Sequence, residues 1–123
     1  MNEDDRGSEA ARKTIAQGTV SLSPFALLEI NLLARAGKLE IRSYREFGTD
    51  LQALLDANDV QVLADAPGYH AEARRLETRY KLTFFDSLHA AVARLRMEVI
   101  VSSDKGYDRL SGEDIVRLDP ERV

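Results

Sequence analysis

The stretch FFDSLHAAVARLRMEVIVSSD, residues 84–104, decides the fold that the sequence predicts. Its first half has alanines and larger apolar residues at helical spacing, and a helix is expected from about Thr83. Its second half, from Glu98 to Asp104, is typical of a buried strand that ends in a polar loop. A helix that leads directly into a buried strand indicates an α/β domain.

Outward from this stretch, helical and strand patterns alternate along the chain. We expect helices over Asp5 to Ala16, Ser23 to Gly37, Ser43 to Asn58 and Pro67 to Tyr80, and strands over Thr19 to Leu22, Val60 to Ala64 and Ile115 to Leu118. This alternation predicts an α/β domain with a mainly parallel sheet. Ligands of such sheets bind beyond the carboxyl ends of the strands, which singles out the loop at residues 102–110.

Local signals define the ends of the helix around ALLEINLLA. Ser23 is a good N-cap, Pro24 suits the first helical position, and Gly37 is expected to end the helix. In the helix that follows, Gly48 weakens the middle, where a break into two shorter helices is one expectation.

Bulk composition limits the class of protein. The 123 residues, 44% of them hydrophobic, suffice for one domain with one core. Cysteine is absent, which excludes disulfides, thiolate nucleophiles and cysteine zinc sites. No apolar run approaches the roughly 18 residues that span a bilayer, and the acidic start does not suit a signal peptide. We therefore expect a soluble, cytoplasmic protein. The net charge of −4 argues against a DNA-coating protein but not against a nuclease, because a carboxylate metal site is itself acidic.

Three acidic residues have large apolar neighbours in the sequence. Glu29 lies within ALLEINLLA, Asp86 lies in the first turn of the helix after Thr83, and Asp104 directly follows the strand. Each is expected near the edge of the core. Each also has a purely structural explanation: a narrow polar stripe for Glu29, the positive end of the helix macrodipole for Asp86, and a turn for Asp104.

Taken together, the three acids indicate a site for a hard cation, because carboxylate oxygens suit Mg²⁺ or Mn²⁺. Ser102, two residues before Asp104, would add a hydroxyl on the same face of the strand. Such ions support phosphodiester hydrolysis by activating a water and orienting the phosphate. That chemistry needs no covalent nucleophile, which fits a chain without cysteine or a convincing Ser–His pair.

The segments SPFALLEI, FFDSLHAAVA and VIVSSDKGYDRL, in this order, resemble the PIN domain, and more narrowly the VapC-type toxins of prokaryotic toxin–antitoxin pairs. The resemblance implies a three-layer α/β domain, a parallel sheet flanked by helices, that acts as a metal-dependent ribonuclease. Glu29, Asp86 and Asp104 would be its catalytic metal ligands, with Ser102 in support. Many relatives carry a further acid at the position of Gly106, for which Asp108 is a possible replacement.

The chain departs from this family pattern at its start. PIN domains open with an apolar strand that carries an aspartate, and no such strand is evident here; Asp4 and Asp5 lie on a different element. Either the sequence begins inside a longer reading frame or the strand was lost, and the first explanation is favoured. We therefore expect residues 1–123 to form a single PIN-like domain that is incomplete at its N-terminus, with an incomplete site and poor stability.

Partners follow from the same resemblance. Arg74, Arg75, Arg79 and Lys81 form a basic run that either lines a path for RNA phosphates or is an ordinary solvated face. The apolar side chains of the helix around ALLEINLLA, together with two aromatic residues of the next helix, give more apolar surface than one small core needs; they are Leu27, Leu28, Leu32, Leu33, Tyr44 and Phe47. By the resemblance, a VapC-like protein would present such a surface to an antitoxin and to a second copy of itself. Two alternatives stay open: a degenerate, non-catalytic PIN-like module that binds RNA or protein, and a plain structural α/β domain.

Overall fold

The structure is a computed structural model, and it describes residues 20–120. These residues fall into two compact units, a first unit of residues 20–64 and a second unit of residues 65–120. The helix predicted over Asp5 to Ala16, together with Asp4, lies outside the described residues.

The first unit combines two helices with one pair of strands. In chain order it contains β1 (Ser21–Leu22), α1 (Ala26–Arg35), α2 (Tyr44–Ala57) and β2 (Gln61–Val62). The strands β1 and β2 are parallel, with Ser21 opposite Gln61 and Leu22 opposite Val62. The predicted strands are therefore present, although each is shorter than its sequence pattern.

The ends of α1 follow the predicted signals only in part. The helix begins at Ala26, so the prediction that Ser23 is its N-cap and Pro24 its first residue is wrong by two positions. The Ser23 hydroxyl instead accepts a hydrogen bond from the Phe25 N–H at 3.2 Å, and so stabilises the turn before the helix. Gly37 does end the helix, with a left-handed φ of 76° that favours glycine.

The helix α2 runs without a break through Gly48, so the expectation of two shorter helices is wrong. Its N-cap is Ser43, whose hydroxyl accepts a hydrogen bond from the Glu46 N–H at 3.2 Å. A glycine inside a helix costs about 1 kcal/mol relative to alanine, an amount that one good N-cap can offset.

The second unit is built around two helices that pack against each other, α3 (Pro67–Tyr80) and α4 (Phe84–Arg96). Proline opens α3, as predicted, and the alanine run of α4 lets the two helices approach closely. Its core consists of buried side chains from both helices and from the segments that follow them, namely Ala73, Leu76, Leu82, Leu88, Ala90, Ala91, Val92, Ala93, Tyr107, Leu110, Ile115 and Leu118.

After α4 the chain forms a second parallel pair, β3 (Ile100–Val101) with β4 (Arg117–Leu118). The prediction that this strand is buried is confirmed only in part: in β3, Ile100 is half-buried and Val101 is 41% exposed. The predicted polar loop is instead a 3₁₀ helix, Lys105–Glu113. Both strand pairs are parallel and helices separate their members, which agrees with the α/β class.

Candidate functional site

Asp86 lies in the first turn of α4, but its carboxylate does not cap the helix. Thr83 is the N-cap, and its hydroxyl accepts the hydrogen bond from the Asp86 N–H at 3.2 Å. The Asp86 carboxylate therefore does not serve as the cap. Its Oδ1 accepts a hydrogen bond from the hydroxyl of Tyr107 at 3.1 Å, and the residue is half-buried, at the core edge as expected.

Asp104 follows β3 and is the N-cap of the 3₁₀ helix. Its Oδ1 accepts a hydrogen bond from the Gly106 N–H at 2.8 Å, and its own N–H donates to the Ser102 hydroxyl at 3.1 Å. Ser102 thus supports Asp104 through the backbone. Asp104 is exposed, so the expectation that it lies at the edge of the core is wrong. The reason is that β3 ends at Val101, and Asp104 lies in the turn between that strand and the 3₁₀ helix.

Tyr107 connects the two aspartates. Its hydroxyl donates to Asp86, while its N–H lies 3.5 Å from the carbonyl oxygen of Asp104, a long hydrogen bond in the turn that opens the 3₁₀ helix. Tyr107 is only 5% exposed, so its ring is held in the core of the second unit. Tyr107 was not among the residues predicted from the sequence; the signal that could have indicated it is an aromatic residue with a hydroxyl three positions after Asp104.

Gly106 occupies the position where an additional acid was considered. A Cβ atom built there would lie 3.0 Å from Oδ1 of Asp104, closer than most real Cβ contacts. The glycine therefore lets its own N–H approach and orient the Asp104 carboxylate, so this position supplies a backbone donor.

Asp108, the possible replacement ligand, is held by an arginine. Its Oδ1 and Oδ2 accept hydrogen bonds from Arg117 at 2.8 Å and 3.2 Å. Arg117 also donates to the carbonyl oxygen of Ser102 at 3.1 Å, which ties β4 to the end of β3. Both oxygens of Asp108 are thus already engaged, which makes it a weaker candidate ligand than Asp86 or Asp104.

Glu29 belongs to the first unit. It lies on α1, is half-buried as expected, and donates its backbone N–H to the Phe25 carbonyl oxygen at 2.9 Å. No residue of α1 is fully buried. The structure thus links Asp86 and Asp104 through Tyr107 in the second unit and carries Glu29 on the first.

The donor set of the second unit suits a hard divalent cation with water in its coordination shell. Within residues 20–120, no three or more Asp, Glu or His side chains are grouped closely enough to hold a metal by themselves. Mg²⁺, however, commonly binds through one or two carboxylates and keeps waters that a substrate phosphate can replace. The Asp86 and Asp104 carboxylates each accept one hydrogen bond, through Oδ1, which leaves Oδ2 of both as potential ligands.

A second cluster of charges surrounds Glu113 at the end of the 3₁₀ helix. Its side chain is 9% exposed, and it accepts hydrogen bonds from Arg75 at 2.9 Å and 3.2 Å and from the Tyr80 hydroxyl at 2.8 Å. Arg94 and Arg79 approach to 3.3 Å and 3.6 Å. The hydrogen bonds from Arg75, followed by that from Tyr80, lower the pKa of Glu113 to about 2.

This cluster changes the interpretation of the basic run Arg74 to Lys81. Arg75 also contacts Glu72, and its hydrogen bonds to Glu113 and Glu72 raise its pKa. Arg75 is therefore a structural cation that holds α3 to the 3₁₀ helix. It fits neither of the two alternatives predicted for the basic run, a path for RNA phosphates or an ordinary solvated face. Glu113 was not predicted from the sequence, because its hydrogen-bond partners Arg75 and Tyr80 lie more than 30 residues away along the chain.

Comparison with known proteins identifies a family over most of the chain. A family model described as PIN domain matches residues 1–113, a range that includes both aspartates and Tyr107. Neither the curated proteins nor the solved structures gave a match. Within residues 20–120, no helix has the length and apolar character needed to cross a membrane.

Proposed function

Because this chain belongs to the PIN-domain family, whose members are generally nucleases that use divalent metals, we propose that it is a metal-dependent endoribonuclease that cleaves single-stranded RNA. The observation that carries this proposal is that Tyr107 contacts both aspartates, the carboxylate of Asp86 through its hydroxyl and the backbone carbonyl of Asp104 through its N–H. Within the described residues, the hydrogen bonds to each of the two carboxylates engage Oδ1 alone.

The metal, Mg²⁺ or Mn²⁺, would be held by Asp86 and Asp104 together with Glu29, which are also the proposed catalytic residues. When bound, such an ion activates a water and neutralises charge on the scissile phosphate. Ser102 and Gly106 hold Asp104 in place through hydrogen bonds to its backbone and its carboxylate. Asp108 remains a supporting candidate in this proposal, through its ion pair with Arg117.

The narrower assignment, a cytoplasmic VapC-type toxin that pairs with an antitoxin and forms a homodimer, is supported by the first unit. Several of its large apolar side chains are between 37% and 60% exposed, namely Leu28, Leu32, Leu33, Leu39, Tyr44 and Leu54. Exposed apolar side chains of this size suit contact with another protein where they adjoin one another on the surface. A single three-layer PIN-like domain over residues 1–123 is the fold proposed with this assignment.

Cleavage of a labelled single-stranded RNA in the presence of Mn²⁺ tests the proposal. We expect Asp86→Asn and Asp104→Asn each to abolish cleavage, because each removes a negative charge from the proposed site while keeping the shape of the side chain. Asp50→Asn is the matched control, since Asp50 is an exposed residue of α2. Full activity in both site variants, or undiminished wild-type cleavage in excess chelator, would refute the assignment.

The alternative is a degenerate PIN-like module that binds RNA or protein without cutting. Two observations favour it: the glycine at position 106, and the engagement of Asp108 with Arg117. Of the acids proposed for the site, they leave Asp86 and Asp104 as the candidates in the second unit whose carboxylates are not paired with arginine. Calorimetric titration with Mn²⁺ separates the two functions, because a binding module has no requirement for the ion.

A further inference from the structure

We propose that Tyr107 is a positioning residue: its hydroxyl fixes the Asp86 carboxylate in the orientation that presents Oδ2 to a divalent ion. The inference deepens the proposed function and rests on it, because it concerns the same metal site. The hydroxyl donates to Oδ1 of Asp86 at 3.1 Å, so this bond engages one oxygen and leaves the other available.

The position of Tyr107 in the fold makes it suited to this role. The residue is 5% exposed within the core of the second unit, and its backbone lies in the 3₁₀ helix that Asp104 caps. A movement of the 3₁₀ helix would therefore shift the Tyr107 hydroxyl and the Asp104 carboxylate together. The tyrosine couples the orientation of Asp86 on α4 to the segment that carries Asp104.

A simpler explanation is that a buried tyrosine needs an acceptor and uses the nearest one. The protein contains a matched case, since the Tyr80 hydroxyl donates to Glu113 at 2.8 Å. Glu113, however, is also bound by Arg75, so its orientation does not depend on the tyrosine alone. Within the described part of the chain, Asp86 makes no ion pair, and its carboxylate accepts its hydrogen bond from the Tyr107 hydroxyl.

Tyr107→Phe isolates the hydroxyl, because phenylalanine keeps the buried ring. Loss of an outer hydrogen bond to a metal ligand typically weakens metal affinity by about 10- to 100-fold, and we expect a loss of Mn²⁺ affinity in this range. Tyr80→Phe removes the corresponding hydroxyl from a carboxylate outside the proposed site, and its Mn²⁺ affinity is expected to equal that of the wild type.

The experiment is calorimetric titration of Mn²⁺ into the full chain for the wild type, Tyr107→Phe, Tyr80→Phe and Asp86→Asn, with thermal unfolding as the check on folding. Weaker binding by Tyr107→Phe with unchanged binding by Tyr80→Phe supports the inference. Unchanged binding by Tyr107→Phe, with binding lost in Asp86→Asn, overturns the inference and leaves the proposed site standing. Unfolding of Tyr107→Phe also overturns it, because the residue is then structural.

The outcomes that refute the proposed function are different ones. Wild-type affinity in Asp86→Asn shows that the ion binds elsewhere, and absence of Mn²⁺ binding by the wild type shows that no such site forms. Either result removes the proposed metal site, and the positioning role of Tyr107 falls with it.

Discussion

Replacing Glu113 with glutamine is expected to lower the free energy of unfolding at neutral pH. At acid pH the difference from the wild type is expected to become smaller. Glu113 accepts hydrogen bonds from Arg75 and Tyr80, and Arg79 and Arg94 lie within 3.6 Å. Glutamine keeps the size of the side chain but removes its charge and puts an amide donor where an oxygen accepted. Arg75 would then lose half of its carboxylate partners.

The size of the effect follows from the pKa of Glu113. Its fall from the ordinary value of 4.5 to about 2 corresponds to an upper limit of about 3 kcal/mol at neutral pH. The side chains of the three arginines are 38% to 66% exposed, so solvent screens part of this interaction. We therefore expect a loss of about 1–2 kcal/mol in the free energy of unfolding at pH 7.

The pH dependence has a definite sign. The folded-state pKa lies below the unfolded value, so the ionised Glu113 contributes its full stabilisation above pH 4.5 and loses it as the pH falls towards about 2. At pH 3 about two-fifths of the contribution should remain. The difference in stability between wild type and Glu113→Gln should shrink accordingly, because the glutamine does not titrate.

Urea unfolding followed by circular dichroism at pH 7, 5 and 3 measures this difference. Glu77→Gln is the matched control, since Glu77 is a half-buried glutamate of α3 that makes no ion pair within residues 20–120. Equal stability of Glu113→Gln and wild type at pH 7 would refute the reasoning. A destabilisation that stays constant down to pH 3 would show that the charge of Glu113 is not its cause.

Two further predictions concern the ends of the segments that carry the aspartates. Gly106→Ala should lower Mn²⁺ affinity severalfold in calorimetric titration, because its Cβ would press on Oδ1 of Asp104. Gly112→Ala is the control and should bind Mn²⁺ as the wild type does, because no atom lies within 4 Å of its Cβ. Equal affinities of the two variants would show that the contact at position 106 does not affect the proposed site. Thr83→Ala should cost about 1 kcal/mol in urea unfolding through loss of the N-cap bond to Asp86, and Thr83→Ser should recover most of it; an unrecovered loss would point to the methyl group instead.

The features that could be predicted from sequence are those set by neighbours along the chain. Pro67 opens α3 and α4 begins directly after Thr83, as predicted, because both boundaries depend on the first turn of one helix. Alternating helices and strands correctly indicated parallel pairing. Asp86 and Asp104 were singled out by their apolar neighbours; Tyr107 contacts the carboxylate of one and the backbone carbonyl of the other, and their joint role as metal ligands stays a prediction.

The features that could not be predicted depend on contacts between distant residues. The sequence DKG suits a turn as well as it suits the start of a 3₁₀ helix. In the structure the 3₁₀ helix forms, and it buries Tyr107 and Leu110 in the core. Arg75 was expected either to line a path for RNA phosphates or to lie on a solvated face, because its partner Glu113 is 38 residues away along the chain. No periodicity in the chain reports a contact of that kind.

The contrast between the two kinds of carboxylate connects the fold to the proposed chemistry. Glu113 and Asp108 each face arginine, so their negative charge is compensated within the protein. Asp86 and Asp104 receive hydrogen bonds only from neutral groups in the described residues, the hydroxyl of Tyr107 and the N–H of Gly106. Neutral donors orient a carboxylate without cancelling its charge, and an oriented, uncompensated carboxylate is what a divalent cation requires. Arg109 lies beside Gly106, but its guanidinium donates to the carbonyl oxygens of Gly106 and Tyr80 and makes no ion pair with either aspartate within the described residues. In the proposed site, the negative charge of both aspartates therefore remains for an ion to compensate.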